Sequence, residues 1–149
     1  MSKPIDPPFE FTRRVRDTCL CLHVQRAARA LARHFDEVLR PLELTNGQFS
    51  LLMSLNRPES PNMGSVSALL AMDRTTLTAN LKPLERRGLL KVTVDPADKR
   101  GRRLKLTRAG RALLAKAAPV WSLAHAAVER RVRSGADDLR ADLRALSHG

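Results

Sequence analysis

Apolar positions along the chain recur with two kinds of spacing, and the spacing marks out the elements. Met1 to about Glu10 contains three prolines and little periodicity, so it reads as an extended arm. From Phe11 to Arg40 the residues Leu20, Val24, Ala27, Leu31, Phe35 and Val38 recur at steps of three and four. They form one face of a long helix that Pro41 ends. Thr45 followed by Gln48 is a capping-box pattern, and Phe49, Leu52, Met53 and Leu55 supply the buried side of a short second helix. Pro58 and Pro61 make the stretch from Asn56 to Asn62 a loop.

A third short helix fits Met63 to Leu70. A fourth fits Thr75 to Arg87, with Asp73 or Arg74 near its start and Gly88 just past its end. Pro83 removes one backbone hydrogen bond there and should bend the last turn. Leu90, Val92 and Val94 then alternate with polar residues, a polar turn runs from Asp95 to Gly101, and Leu104 and Leu106 alternate with Arg103 and Lys105, which predicts a β-hairpin. Thr107 can cap a long fifth helix running toward Arg133, kinked near Pro119, and a last amphipathic helix spans about Asp137 to Leu146. The class is mainly α with one small β-hairpin.

Charge narrows the choice of partner. The 149 residues carry 27 Lys plus Arg against 15 Asp plus Glu, a formal net charge of +12, which favours a polyanion, nucleic acid first. An Arg- and Ala-rich genome would produce part of that excess without any binding role. Its distribution is more telling: from Arg74 to Arg111 there are twelve basic residues and three acidic ones, Glu85, Asp95 and Asp98. A phosphate-facing surface needs charge focused in this way. No apolar run approaches the roughly 20 residues that span a bilayer, and the Pro-containing N-terminus lacks the apolar core of a signal peptide. A cytoplasmic protein without membrane partners is therefore expected. Cys19 and Cys21 are too few for a disulfide framework, and no second pair makes a structural metal site.

The segment VSALLAMDRTTL from Val66 to Leu77 has helix-turn-helix spacing, with small Ser67 where two helices cross, Ala71 in the turn and Leu77 in the core. Such a helix pair also occurs as plain core packing. What separates the two readings is the next piece, a hairpin whose tip, Asp95 to Arg103, carries four basic residues.

Leu44-Thr45 with Gln48-Phe49, the run RTTLTANLKPLERRGLL from Arg74 to Leu90, the wing DPADKRGRRLKLT from Asp95 to Thr107, and Arg108-Ala109-Gly110 after it together resemble the MarR (multiple antibiotic resistance regulator) family of bacterial winged-helix regulators. The likeness covers about Cys21 to Ala118. It implies a winged helix-turn-helix with N- and C-terminal dimerisation helices: an arm at 1–10, dimerisation helices at 11–42 and 108–149, and a DNA-binding lobe at 43–107. It also implies a homodimeric, sequence-specific repressor on a pseudo-palindromic operator, released by a small effector, with no cofactor.

In that arrangement the fourth helix lies in the major groove, where Arg can pair with guanine, Thr methyls can touch thymine and Asn can read adenine. Arg74, Thr75, Thr76, Thr78, Asn80 and Lys82 are the contact candidates. Some of them equally cap the helix, Thr76 above all, or simply face solvent. At the wing, the resemblance implies that Arg100 enters the adjacent minor groove, held by Asp98, with Lys99, Arg102 and Arg103 beside it; a solvated charged surface is the plainer alternative.

The sensing half is less legible. Cys21 falls where the organic-hydroperoxide-sensing branch of the family carries its reactive cysteine, but that site uses tyrosine donors and this chain has no Tyr. On the long first helix, two residues separate the Cys19 and Cys21 thiols by about 200° of rotation, which argues against a joint site within one subunit and leaves an intersubunit pairing open. A small aromatic or anionic effector near His23, Arg26 or Met53 is the other expectation, although His23 and Arg26 also suit a surface or an interface. An enzyme has no support: there is no Gly-rich phosphate loop, no nucleophile elbow, and no His and carboxylate cluster at metal spacing. The rival classes are a peroxide sensor acting through Cys21, or a winged-helix module that binds DNA without sequence preference or binds a protein.

Overall fold

A computed structural model describes Met1 and residues 5–148. Its elements are α1 (Phe9–Thr18), α2 (Leu20–Leu39), a 3-10 turn (Arg40–Leu42), α3 (Asn46–Ser54), α4 (Met63–Leu70), α5 (Arg74–Arg86), β1 (Leu90–Val94), β2 (Arg102–Leu106), α6 (Arg108–Glu129) and α7 (Ala136–Ser147). The chain is mainly helical with one antiparallel hairpin, the class its patterning predicts. It divides into two compact units, Met1–His34 and Phe35–Gly149. Of the expected arm, residues 2–4 lie outside the described residues, as does Gly149. No helix among the described residues is long and apolar enough to cross a membrane.

The single helix expected from Phe11 to Arg40 is two helices. Cys19 adopts an extended conformation (φ −67°, ψ 112°) and ends α1. It then caps α2: the Cys19 carbonyl accepts from the His23 N–H at 3.1 Å, and its sulfur accepts from the Leu22 N–H at 3.5 Å. The apolar stripe begins at Leu20, the first residue of α2, so the periodicity described only the second helix. Both helices leave large apolar residues in solvent, among them Phe9, Val15, Leu20, Val24 and Leu31.

The second unit holds the core. Leu39, Leu44, Leu51, Leu52, Leu55, Val66, Leu77, Leu81, Leu84, Leu89, Leu90, Leu104, Leu106, Leu114 and Ala117 are buried together. Each fully buried leucine contributes about 1.5–3 kcal/mol of apolar transfer, enough to hold three short helices whose own propensities are modest. Local capping sets where those helices start. Thr45 and Gln48 form a reciprocal capping box on α3, Asn62 caps α4 through Ser65, and Thr107 caps α6 through Gly110. α6 and α5 run on through Pro119 and Pro83, each of which removes one backbone donor, and the residues four positions earlier, Ala115 and Ala79, are exposed.

The hairpin pairs Leu90 with Leu106, Val92 with Leu104 and Val94 with Arg102. Leu90, Leu104 and Leu106 are buried, whereas Val92 and Val94 are exposed. The outer half of the hairpin is only partly covered, so its apolar alternation is less buried there than at Leu90.

Candidate nucleic-acid interface

The turn between α4 and α5 is built from backbone hydrogen bonds. Ala71 takes a left-handed conformation (φ 50°), and the Met72 N–H bonds back to the Ser67 carbonyl at 3.0 Å. That closure is a Schellman-type cap, normally glycine's place because a Cβ strains it. Asp73 then caps α5. Its carboxylate accepts from the Thr76 N–H at 2.7 Å and from the Thr76 hydroxyl at 2.9 Å. These bonds, the backbone one foremost, hold the Asp73 carboxyl below the usual carboxylate range. At the far end Gly88 (φ 73°) closes a second Schellman cap, with Leu89 N–H bonded to the Leu84 carbonyl.

Between the caps, Leu77, Leu81 and Leu84 face inward, and Arg74, Thr75, Thr76, Thr78, Asn80 and Lys82 are all exposed. The structure therefore gathers all six helix candidates on the outward side of α5. Their freedom differs. The Thr76 hydroxyl serves the cap, the Thr78 hydroxyl donates to the Arg74 carbonyl at 2.8 Å and leaves its methyl as the outward group, and the Asn80 amide rests on the Met72 sulfur at 3.5 Å.

The wing differs from its expected wiring. Asp98 Oδ1 accepts from the backbone N–H of Arg100 at 3.0 Å, so it shapes the turn, while the Arg100 side chain stays exposed beside exposed Lys99. The carboxylate that grips a guanidinium is Asp95, and the guanidinium is that of Arg103, Nε to Oδ2 at 3.1 Å. Arg103 Nη1 also donates to the Ser60 carbonyl at 2.8 Å. The Ala97 N–H, then Arg103, hold the Asp95 carboxyl below the usual carboxylate range. Arg102 bonds the carbonyls of Lys99 and Gly101, within the same turn. Asp95 and Ser60 were not selected from sequence, because an ion pair across a hairpin depends on a register that the turn length leaves open.

The candidates for sensing fall in both units. Cys21 is exposed and its sulfur accepts from the Gln25 side-chain amide at 3.2 Å. Cys19 is not helical, so the 200° separation argued for two thiols on one helix does not apply. His23 bonds the Cys19 carbonyl, and with Arg26, Arg29 and Arg33 it lines an open cavity of about 490 Å³ on α2. Met53 is an exposed residue of α3 in the second unit. No cluster of three or more His, Cys, Asp or Glu at metal spacing occurs among the described residues.

Comparison with known proteins agrees with this geometry. The family model described as MarR family matches residues 44–101. The HTH-type transcriptional regulator TtmR of Methylorubrum extorquens (strain PA1) is 35% identical over 100 residues, 67% of this chain and 51% of TtmR, so the match spans about half of that relative. Among solved structures, the M. tuberculosis transcriptional regulator MosR in complex with DNA is 39% identical with a TM-score of 0.79, over 87% of this chain and 93% of that one. The transcriptional repressor CouR bound to a 23-mer DNA duplex is 30% identical with a TM-score of 0.78, over 91% and 96%. With the α4-turn-α5 pair, the hairpin wing and these relatives in agreement, the chain belongs to the MarR family.

Proposed function

We propose that the protein is a sequence-specific transcriptional regulator, a repressor, that binds a pseudo-palindromic operator as a homodimer in the cytoplasm and leaves it when a small effector binds. The observation that carries this reading is the outward face of α5, where Arg74, Thr75, Thr78 and Asn80 stand clear of the core beside an exposed basic turn. Pure phosphate binding needs only cations; Thr and Asn beside Arg offer the contacts that read base edges. The DNA complexes of MosR and CouR support the same partner.

In this reading α5 enters the major groove, with Arg74 near the base edges at its N-terminus and Lys82 toward the backbone. Arg100 and Lys99 reach the neighbouring minor groove, whose negative potential is focused where it is narrow. Large apolar residues left exposed on α1 and α2, and again on α6 and α7, are covered by a second copy. A two-fold dimer then presents two α5 helices to half-sites about one DNA turn apart. Selection of bound duplexes from random DNA, followed by competition at fixed salt, tests the proposal. The selected duplex should win over random DNA, and Arg100→Ala should weaken it by about tenfold to a hundredfold. A selected duplex that binds no better than random DNA leaves a non-specific architectural module, and unchanged affinity removes Arg100 from the site.

One observation favours a second reading of the signal. Cys21 is exposed and has a hydrogen-bond donor in Gln25, so the donor that tyrosine supplies elsewhere in the family has a local substitute. A hydroperoxide would transfer one oxygen atom to the Cys21 thiolate, giving a sulfenic acid and the corresponding alcohol or water. Cys21→Ser should then hold its operator when peroxide is added; a variant that still lets go would end this reading.

A further inference from the structure

We propose that Arg103 is a positioning residue of the DNA site and not a phosphate contact: by gripping Asp95 and the Ser60 carbonyl together, it fixes the wing, and Arg100 with it, to the loop that leads into α4. The inference rests on the DNA-binding reading above and reassigns one of its candidate contacts.

The connections run in one direction through the fold. The loop preceding α4 offers two adjacent carbonyls to β2: Ser60 accepts from Arg103 Nη1 at 2.8 Å, and Pro61 accepts from the Leu104 N–H at 2.9 Å. An isolated bridge between Asn62 and Arg103 extends the same seam. From the other side of its guanidinium, Arg103 holds Asp95 Oδ2, while Asp95 Oδ1 accepts from the Ala97 N–H at 3.0 Å. Asp95 is 7% exposed, one of two buried polar residues in the described chain. It also opens the turn that carries Arg100. The Asp95 N–H bonds to the Gly101 carbonyl, the Asp98 N–H to the Asp95 carbonyl, and the Gly101 N–H to the Asp98 carbonyl. Arg100 is thus four short links from the base of α4, and Arg103 is the side chain that joins the two ends.

Hairpins that project past a core are mobile unless something braces them, and Val92 and Val94 show that the outer half of this one is only partly covered. A guanidinium suits the bracing task because its fork presents separate donors to two acceptors in fixed directions. A lysine keeps the charge but offers one point donor and loses the second link. For a phosphate contact the charge is what counts, and lysine is an adequate replacement.

The two roles predict opposite signs for one substitution. Asp95→Asn removes a negative charge from a DNA-facing element. If Arg103 met a phosphate, freeing it and deleting the acid would tighten binding. If Arg103 is the brace, Asp95→Asn loosens the turn and weakens operator binding by about tenfold, the scale of a lost charge-assisted hydrogen bond. Arg103→Lys should show the same loss. In the protein without DNA, amide hydrogen exchange at Leu104 and Asp95 should quicken by about tenfold in both variants. Should Arg103→Lys bind as wild type, or Asp95→Asn bind more tightly, the positioning role is overturned while the DNA reading stands. Should wild type fail to prefer its selected duplex, the DNA reading falls, and exchange alone then judges the brace: unchanged exchange at Leu104 in both variants overturns it.

Discussion

Alanine at Gly110 is expected to lower the melting temperature by roughly 6–12 °C, the consequence of about 3 kcal/mol of overpacking in a chain of this size. Elementary helix propensity points the other way, since Gly→Ala inside a helix normally stabilises by about 1 kcal/mol. Gly110 lies in the first turn of α6 with no positive φ, so its backbone conformation makes no demand for glycine. Space does. A Cβ built there would sit 2.0 Å from the Leu89 carbonyl oxygen, 3.0 Å from its carbon and 3.2 Å from Leu106 Cδ2. The carbonyl is not free to retreat, because the Thr107 N–H bonds to it at 3.1 Å, and Thr107 Oγ1 ties the same corner to Gly88 at 2.6 Å. Thermal unfolding of Gly110→Ala beside Gly64→Ala checks the argument. Gly64, in α4, has only the tip of Asn62 at 3.5 Å, so alanine there should be neutral or stabilising. A Gly110→Ala protein as stable as wild type would mean that the junction of wing and α6 is looser than these distances imply.

If the protein is the DNA-binding homodimer proposed above, Leu123→Glu is expected to yield a monomer and to lower operator affinity by on the order of a hundredfold or more, because two half-sites would no longer be engaged through one linked body. Leu123 is 77% exposed, and Val120 on the same helix and Leu139, Leu143 and Leu146 on α7 are exposed with it. Exposed large apolar side chains on two helices are what the proposed subunit contact would cover. The substitution spares the core, since Leu114 and Ala117 are the residues of α6 that pack inward beside Gly110. Sedimentation equilibrium should show the monomer mass with the helical circular dichroism retained. A Leu123→Glu protein that remains dimeric and still holds its operator would place the interface elsewhere.

Much of the fold was legible because its signals are local. Thr45 with Gln48, Asp73 and Thr107 each cap a helix within three residues of their own position, so reading a few neighbours suffices. The same holds for Gly88 after α5 and for Leu77 in the core. The break at Cys19 was not legible. The apolar stripe that marked the segment starts only at Leu20, after α1 has ended, and no Pro or Gly stands at the break. The wing was legible as an element, and the pairing of Asp95 with Arg103 inside it was not. Four basic residues in a turn look alike in sequence, yet Arg100 is exposed while Arg103 is drawn into a pair with buried Asp95.

The sequence by itself determined the class of the molecule, the elements from α3 to the wing and the caps at Thr45 and Thr107, because helix caps, turn glycines and apolar spacing act over three or four residues. Only the tertiary structure decided which cation braces the wing and which stays free, why Gly110 tolerates no side chain, and that Cys19 and Cys21 do not share a helix. Each of the first two depends on groups brought together from distant parts of the chain, Ser60 to Arg103 and Leu89 to Gly110, and no local pattern encodes the distance between them.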